Sequence, residues 1–378
     1  MNIMETKNVA IIGASYLQMP LIRKAQELGY TTHVFAWAAN DIGEKAADHF
    51  YPISIVELDK ITEKCQEIGI CGICSIASDL ASVAVNYVAD KLGLIGNSMD
   101  SAYKSTNKHL MRLAFEAGGD PSPKSVLVDE NTDLSSLDFT YPIIVKPTDR
   151  SGSRGICKLE SAEGMKDAVL SAINEGFENK ALIEEYVEGK EYSVEGISYN
   201  GSHTILAMTL KYTTGAPQFI ETGHIEPAPV DKDTFNRVSV VVKHALDSLG
   251  IKNGASHSEI KIDDQGNIKI IEIGGRMGGD CIGSDLVYYS TGVDYVKAVL
   301  QIAVGEKPDL EPKADGFAVS SHFIFTEKDV VEMNEIKTNR PSDFLKLVYL
   351  KEDLLNKTTN SSDRAGCYII RESIGEKA

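Results

Sequence analysis

The sequence predicts a protein of mixed α/β and α+β class, with a parallel sheet at the N-terminus and a strand-rich part after it. In the first hundred residues, apolar strands alternate with helices, a pattern that is typical of a doubly wound parallel sheet. From Tyr103 onwards the pattern changes to strands, often in pairs, with helices between them. The chain has 378 residues, which is too long for one ordinary core, so two or three domains are expected.

The N-terminal sheet is predicted from short elements in a regular order. Strands are predicted at residues 9–12, 32–37, 72–76 and 93–96, and helices at residues 17–28 and 80–92. The turn after the first strand, Gly13-Ala14-Ser15, lacks the second and third glycines of a dinucleotide-binding loop. The second strand ends in Trp37, where a ribose-binding acid is required. We therefore interpret this turn as structural and expect no nicotinamide cofactor.

The rest of the chain is predicted to hold six strands and four helices, with further strands around Ala207 and Phe219. The six strands are at residues 125–129, 141–146, 181–187, 192–196, 317–326 and 367–371, and the helices are at 108–116, 162–175, 234–249 and 293–304. A hairpin is expected between residues 259 and 272, and a polar loop at residues 356–363.

Composition excludes several classes of protein. A content of 43% hydrophobic and 25% charged residues is that of a soluble globular protein. The formal net charge of -17 argues against a nucleic-acid partner, whose phosphates require Lys and Arg, although ATP can be met locally by Mg²⁺ and a few lysines. No membrane partner is expected, because no apolar run approaches the length of a span and no signal peptide is evident. Cys71 and Cys74 form a CxxC in an apolar strand, which favours buried structural thiols, and a cytoplasmic location is expected.

The hairpin carries the first chemical signal. If Asp263 pairs with Ile268, Glu259 lies directly opposite Glu272. Directly opposed like charges destabilise an antiparallel pair, so a cation between them is favoured. Mg²⁺ fits, because it binds through one or two carboxylates plus phosphate oxygens. The alternative is a solvated hairpin with a harmless pair of glutamates.

The second signal is a lysine at the end of a buried strand, followed by a loop of small residues. Lys146 ends the strand, and the loop from Arg150 to Gly155 contains two glycines and two serines. Small residues let backbone N–H groups approach phosphate oxygens, while Arg150 and Arg154 offer planar forks for phosphate or carboxylate. An ordinary flexible hairpin with a solvated lysine is the alternative.

The third signal is a pair of strands at residues 181–196 with a short acidic connection. The apolar slot between the strands suits a nucleotide base, read by backbone N–H and C=O groups, and a carboxylate suits ribose hydroxyls. The alternative is a solvated, acidic strand end.

Taken in order, these segments resemble the ATP-grasp superfamily of carboxylate–amine (or carboxylate–thiol) ligases. The resemblance spans residues 9–280 and rests on Asn107-Lys108 to Arg112, Val145-Lys146-Pro147, the loop 151–155, the acidic segment 184–195, and Glu259 with Glu272-Ile-Gly-Gly-Arg276. It implies a Rossmann-like domain at 1–100 and an ATP-grasp domain at 101–306. Two α+β subdomains of the latter clamp ATP, with the lid at about 120–187, and a C-terminal segment at 307–378 packs on that core.

The resemblance also implies a role for each matching residue. Lys108 and Lys146 contact the phosphates, and Glu259 and Glu272 bind Mg²⁺ (or Mn²⁺). Arg276 stabilises charge on the transferring phosphoryl group. The remaining nucleotide contacts are the loop residues Ser151, Gly152, Ser153 and Gly155, the adenine contacts Glu184 or Glu185, Tyr186 and Val187, and the ribose contact Glu191. Arg276, Lys146 and Arg154 form the predicted catalytic set.

One position departs from the family. Many members carry Asn two residues after the second metal glutamate, whereas this chain has Gly274. The segment is similar to the branch that includes the L-amino-acid ligases, in which an acid and a histidine like Glu221 and His224 line the amino-acid pocket. A surface turn is the alternative for that pair. Asp280 is a further candidate substrate contact, and His257 either reaches the site or is a core histidine.

The expected reaction has two steps. A carboxylate attacks the γ-phosphate of ATP to give an acyl phosphate, and an amine then displaces the phosphate to form an amide. Partners would be small carboxylate and amine substrates, and a homodimer is the family expectation. The alternatives are a carboxylase or purine-pathway member that activates bicarbonate or formate, and a nucleotide-binding regulator without catalysis.

Overall fold

The computed structural model describes residues 7–152, 154–216, 219–356 and 363–372. Most of the predicted polar loop at 356–363 therefore lies outside the described residues. Within these ranges there are three sheets, with four, four and eight strands. The predicted mixture of an N-terminal parallel sheet and a later α+β part is confirmed.

The N-terminal sheet is parallel and has the strand order β3-β2-β1-β4. Its elements are β1 (Asn8–Ile12), α1 (Met19–Glu27), β2 (Thr31–Phe35), α2 (Ile42–Ala46), β3 (His49–Tyr51), α3 (Leu58–Ile68), β4 (Gly72–Cys74) and α4 (Asp79–Leu92). The predicted strand at 93–96 is wrong, because Gly93 takes the left-handed conformation (φ 66°) that ends α4. Cys74 is buried as predicted, but Cys71 is exposed because it precedes the strand.

The turn after β1 is closed by one side chain. Gln18 is buried, and its Oε1 accepts the backbone N–H of Ser15 at 3.1 Å, while its amide donates to the carbonyl of Ile76 at 2.8 Å. The backbone N–H of Ser15, a donor that a nucleotide phosphate would require, is therefore already bonded within the turn.

Two short helices and a small antiparallel sheet follow. The helices are α5 (Met99–Lys104) and α6 (Lys108–Gly118), and the sheet contains β5 (Ser125–Val128), β6 (Ile143–Pro147), β7 (Cys157–Leu159) and β8 (Ala181–Glu185), in the order β5-β8-β6-β7. Helix α7 (Met165–Glu175) buries its apolar face on this sheet. Lys146 lies near the end of β6, where the chain contacts the start of α6.

The largest sheet has eight antiparallel strands in the order β13-β12-β9-β10-β11-β14-β16-β15. Its strands are β9 (Lys190–Tyr199), β10 (Ser202–Thr213), β11 (Glu221–Glu226), β12 (Gly254–Ile262), β13 (Ile268–Gly274), β14 (Val319–Ile324), β15 (Phe344–Leu350) and β16 (Gly366–Arg371). The helices in this part of the chain are α8 (Lys232–Leu249), α9 (Val287–Thr291), α10 (Tyr295–Ala303) and α11 (Glu327–Asn339). The strands after residue 307 thus continue this central sheet. The division into domains at residues 100 and 306 stays a prediction.

One apolar core joins the N-terminal sheet to the central sheet. Helix α10 lies between them, with Val299 and Leu300 packed among side chains of β1 and α1 and beside Ala255 of the central sheet. None of the helices in the described part of the chain is long and apolar enough to cross a membrane.

The hairpin of β12 and β13 places Glu259 opposite Glu272, as predicted. The pairing at the tip differs by one residue from the prediction, because Ile262 rather than Asp263 pairs with Ile268. A bulge between Glu259 and Ile260 leaves Ile271 without a partner and restores the expected opposition.

Candidate active site

A cavity of about 910 Å³ lies between the three sheets. Of the site residues predicted from the sequence, all but three line this cavity. Gly155 and His224 are described but are not among the lining residues, and Ser153 lies outside the described residues. A second cleft of about 870 Å³ lies beside α8 and the hairpin tip, and none of the predicted lysines or metal ligands is among its lining residues. The larger cavity is therefore the candidate site.

Each of the two opposed glutamates is paired with a buried lysine. Lys211 donates to Glu259 at 2.7 Å, and Lys108 donates to Glu272 at 2.9 Å. Lys211, on β10, also contacts Glu221 at 2.7 Å and Glu191 at 3.1 Å, and its side chain is 2% exposed. The sequence analysis missed Lys211, although a single lysine in the apolar run of β10 was a signal for it.

The electrostatics of this cluster follow from burial and opposite charges. Burial alone would lower the pKa of Lys211, but Glu221, Glu259 and Glu191 hold that pKa well above its usual range. Burial would raise the pKa of Glu259, and Lys211 with His257 holds it far below its usual value. Lys211 and Glu259 are therefore both charged at neutral pH.

These residues fit a divalent cation that is shared with phosphate. Within the described ranges there is no group of three or more His, Cys, Asp or Glu side chains that could hold a metal ion without help. Two opposed carboxylates suit Mg²⁺, which completes its octahedral shell with water and phosphate oxygens. Glu259 and Glu272 are thus suited to a metal ion that arrives with a nucleotide.

Gly274, which departs from the family pattern, is explained by its surroundings. A Cβ atom there would lie 3.1 Å from Oδ1 of Asp79 and 3.2 Å from the Arg276 guanidinium. A side chain at this position would crowd the ion pair of Asp79 and Arg276, which would have to shift by a few tenths of an ångström.

Arg276 is held by the N-terminal part of the chain. Its Nε donates to Oδ1 of Asp79 at 2.7 Å and its Nη2 to Oδ2 at 3.3 Å. Asp79 is the first residue of α4, so the parallel sheet fixes the guanidinium in the cavity. Asp79 was not predicted as a site residue.

Lys146 belongs to a buried cluster with Glu184 and Arg112. Glu184 contacts Lys146 at 2.6 Å and Nε of Arg112 at 2.9 Å. Burial lowers the pKa of Lys146, with further lowering from Arg112 and Lys108, against the opposing effect of Glu184. The Glu184 side chain is committed to this cluster, so the main chain is what it can offer to a nucleotide.

The segment after β8 forms one wall of the cavity. The Tyr186 ring has the ammonium groups of Lys158 and Lys261 at 4.2 and 5.0 Å from its centre. The carbonyl of Val187 accepts from Lys261 at 3.2 Å, and Glu185 accepts the N–H of Lys124 at 3.1 Å. The adenine contacts of these residues stay predictions.

The described residues of the loop of small residues contribute Arg150, Ser151, Gly152 and Arg154 to the cavity lining. Gly152 and Gly155 both have positive φ angles, 74° and 68°. Arg154 is exposed, and its Nε donates to the carbonyl of Ser151 at 3.1 Å. Arg154 lines the cavity from this loop, and its catalytic role stays a prediction.

Of the predicted substrate residues, Glu221 and Asp280 line the cavity, whereas His224 contacts Glu221 without lining it. The His224 ring is buried, with Nε2 3.2 Å from Glu221, and Nδ1 3.0 Å from the Ser321 hydroxyl. Asp280 accepts from Arg364 at 2.6 Å, and the Arg364 guanidinium lies 3.7 Å above the Phe323 ring. Arg364 was missed, because it follows a polar stretch predicted as a loop.

His257 lies in the same cavity wall beside Glu259. Burial lowers the pKa of His257, but the carboxylates of Glu195 and Glu259 more than compensate and hold it at about 9. The imidazole is therefore a charged partner of the cluster rather than a neutral core side chain.

Glu226, the last residue of β11, is fully buried, and its carboxyl oxygens accept hydrogen bonds from the hydroxyls of Thr209 and Ser290, each at 2.5 Å. Burial raises its pKa to about 7, so it is protonated in the folded state between about pH 4.5 and 7 while the unfolded chain is ionised.

We expect Glu226 to lower the free energy of unfolding by about 3 kcal/mol as the pH rises from about 4.5 to 7. Denaturant unfolding of Glu226→Gln should lack that loss, whereas exposed Glu335→Gln should retain it. A Glu226→Gln curve parallel to the wild type would contradict the assignment.

Comparison with known proteins agrees with this geometry. Residues 139–285 match the model of the ATP-grasp domain. Alanine–anticapsin ligase of Bacillus subtilis is 29% identical over 276 residues, covering 63% of this chain and 58% of the relative. The chain thus spans less than two thirds of that relative's length.

Solved structures show the fold. L-amino acid ligase from Bacillus licheniformis superimposes with a TM-score of 0.80 and 20% identity, covering 97% of this chain and 92% of the other. Phosphoribosylglycinamide synthetase from Anaerococcus prevotii gives 0.76 and 24%, with coverages of 97% and 94%. The chain has the ATP-grasp fold.

Proposed function

We propose that this chain, which contains an ATP-grasp domain and has the fold of the ATP-grasp ligases, joins a carboxylate to an amine at the expense of ATP. The products besides the amide would be ADP and phosphate. The observation that carries the proposal is the pair Glu259 and Glu272, opposed across one ladder in the same cavity as Arg276. Two acids for a metal ion and one arginine for the phosphoryl group are what phosphoryl transfer requires.

In this proposal, the cavity's residues divide between the parts of MgATP. Glu259 and Glu272 hold the metal ion, which when bound neutralises charge on the phosphates. Lys108 and Lys146 bind phosphates, and the segment from Glu184 to Val187 binds adenine through its main chain. The loop at 151–155 closes over the γ-phosphate, where excluding water protects an acyl phosphate from hydrolysis.

The chemistry then needs alignment more than covalent help. A carboxylate oxygen of the substrate attacks the γ-phosphorus, the bond to the β-phosphate oxygen breaks, and ADP leaves. Arg276, fixed by Asp79, neutralises charge on the phosphoryl group as it moves. The amine attacks the activated carbonyl, and phosphate leaves with the bonding electrons while the amine loses a proton.

Amino-acid-like substrates suit the far end of the cavity. Glu221 and Asp280 present carboxyl groups there, and the Arg364 guanidinium lies 3.8 Å from Glu221 and 2.6 Å from Asp280, so acidic and basic groups alternate along the wall. A zwitterion with one ammonium and one carboxylate matches such an alternation. The alanine-joining relative is consistent with this class.

A purine-pathway or carboxylase activity is the second candidate. It is favoured by the likeness to phosphoribosylglycinamide synthetase, which has the same fold over nearly the whole chain. A regulator without catalysis is a third possibility that the charged, complete cluster around Glu259 argues against. A homodimer stays an expectation.

We expect phosphate release from ATP when two amino acids are supplied together, with a product whose mass equals their sum minus water. The assay pairs amino acids and small carboxylates in a phosphate-release screen, followed by mass spectrometry of positive wells. Glu272→Gln should abolish release because it removes one metal ligand, whereas Glu335→Gln on α11 should not. Release that requires bicarbonate with aminoimidazole ribotide would favour the second candidate, and no release with any pair would contradict the ligase proposal.

A further inference from the structure

His257 lies between the carboxylates of Glu195 and Glu259, and Glu259 is one of the two proposed metal ligands. It stands on β12 two residues before Glu259, so both side chains point to the same face of the sheet. Its Nδ1 contacts Oε1 of Glu195 closely, and its Nε2 lies 3.5 Å from Oε1 of Glu259. The imidazole therefore spans the gap between a buried acid and the acid that faces the cavity.

Glu195 is firmly anchored at the inner end of this chain of contacts. It lies on β9 directly opposite His257 and has no exposed surface. Its second oxygen accepts the backbone N–H of Gly278 at 3.0 Å. A Cβ atom on Gly278 would lie 2.6 Å from Glu195 and 2.7 Å from His257, so the turn packs directly on the pair.

That turn also carries Arg276. Residues 275–279 connect β13 to the segment before α9, and Arg276 reaches from this turn into the cavity. The contacts of Glu195 thus link the metal side of the cavity to the arginine side through hydrogen bonds and close packing.

We propose that Glu195 and His257 form a positioning relay, which holds the Glu259 carboxylate in the orientation that accepts the metal ion and ties it to the Arg276 turn. The proposal rests on the proposed function, since it takes Glu259 as a metal ligand. Groups that orient a metal ligand from behind typically contribute 10- to 100-fold to metal affinity. Glu259 has particular need of such a group, because Lys211 also bonds to the oxygen that His257 approaches.

Two substitutions separate the relay from a merely structural histidine. Asparagine places an N–H group where Nδ1 lies, so His257→Asn keeps the contact with Glu195 but cannot reach Glu259. Glutamine places its N–H group where Nε2 lies, so His257→Gln keeps the reach towards Glu259. A histidine that served packing and Glu195 alone would tolerate asparagine at least as well as glutamine.

The test measures Mn²⁺ binding in the presence of ADP by electron paramagnetic resonance, so no turnover is needed. We expect the His257→Asn variant to bind Mn²⁺ at least tenfold more weakly than the wild type, and His257→Gln to recover part of that loss. Affinity for ADP without metal should stay unchanged in both. His203→Asn is the matched control, because His203 also bridges a hydroxyl (Ser198, 2.7 Å) and an acid (Asp247, 3.1 Å), away from the cavity.

Several outcomes would overturn the relay. Wild-type Mn²⁺ affinity in the His257→Asn variant, or an equal loss of metal-free ADP binding, would contradict it. If that variant does not fold, Glu195→Gln takes its place, and unchanged Mn²⁺ binding there would be equally decisive. A wild-type protein that binds no Mn²⁺ with ADP would instead overturn the proposed function, so the two failures are distinguishable.

Discussion

Replacing Arg276 with alanine is expected to lower turnover by about a thousandfold while ATP binding stays close to that of the wild type. The guanidinium is held in the cavity by two contacts to Asp79 and lies on the turn that follows Glu272. A fixed cation stabilises charge that develops during phosphoryl transfer more than charge already present in bound ATP. Arginines in this role are worth roughly 10³-fold or more in turnover. Single-turnover kinetics and nucleotide titration measure the two quantities separately.

The substitution also leaves Asp79 without its partner, which can weaken folding independently of catalysis. The Asp79→Asn/Arg276→Ala double variant removes that unpaired charge and should show the same loss of turnover. Arg237→Ala is a control, because Arg237 lies on α8 and bonds to the carbonyl of Gly266 at the hairpin tip. Equal losses of turnover and of ATP affinity in the Arg276 variants would refute the assigned role.

The Lys211→Met variant is expected to lose about 3–5 kcal/mol of stability as well as activity. Lys211 is the shared cation of Glu191, Glu221 and Glu259, so its removal leaves three carboxylates facing one another. Breaking a buried ion pair from one side costs about that much, because the remaining charge is uncompensated. Thermal and denaturant unfolding without ligand measure the loss. Lys297→Met is the control, since Lys297 forms a half-exposed pair with Asp309.

The pH dependence of this loss has a definite sign. Lys211 holds the pKa values of Glu221 and Glu259 well below the unfolded value, so their stabilisation is present above about pH 4.5 and is lost as the pH falls through the folded values. The difference between wild type and Lys211→Met should therefore be largest near neutral pH and shrink in acid. Mg²⁺ with ADP should restore part of it, because a divalent cation beside Glu259 replaces the missing charge. A difference that grows in acid would contradict this account.

Much of the candidate site could be predicted from local pattern. Glu259 and Glu272 lie on adjacent strands of one hairpin, so the sequence brought them together, but their direct opposition depends on the bulge between Glu259 and Ile260. The tip was wrong by one residue, because a bulge cannot be read from alternation. Lys146 lies near the end of a predicted strand, where the local pattern indicates it, whereas Lys108 was indicated by the resemblance of its segment to the ATP-grasp ligases.

The missed residues come from segments far apart along the chain. Asp79 and Arg276 are separated by 197 positions, and they meet because two different sheets share one core. Arg364 reaches Asp280 because β16 lies beside β14 in the central sheet, a pairing that no short pattern reveals. Lys211 was within reach of sequence reasoning, since a buried strand tolerates a lysine when acids surround it.

The anchoring of Arg276 by the first turn of α4 limits how this protein could be recombined with its relatives. A chimera that takes its N-terminal hundred residues from one parent and the remainder from another inherits the arginine and its anchor from different sources. Such a hybrid could fold and bind nucleotide. The guanidinium of Arg276 would nevertheless lack its anchoring contact unless the parent of the N-terminal part supplied an acid at the first position of α4. A crossover point between the N-terminal sheet and the central sheet would therefore separate Asp79 from Arg276 within the proposed active site.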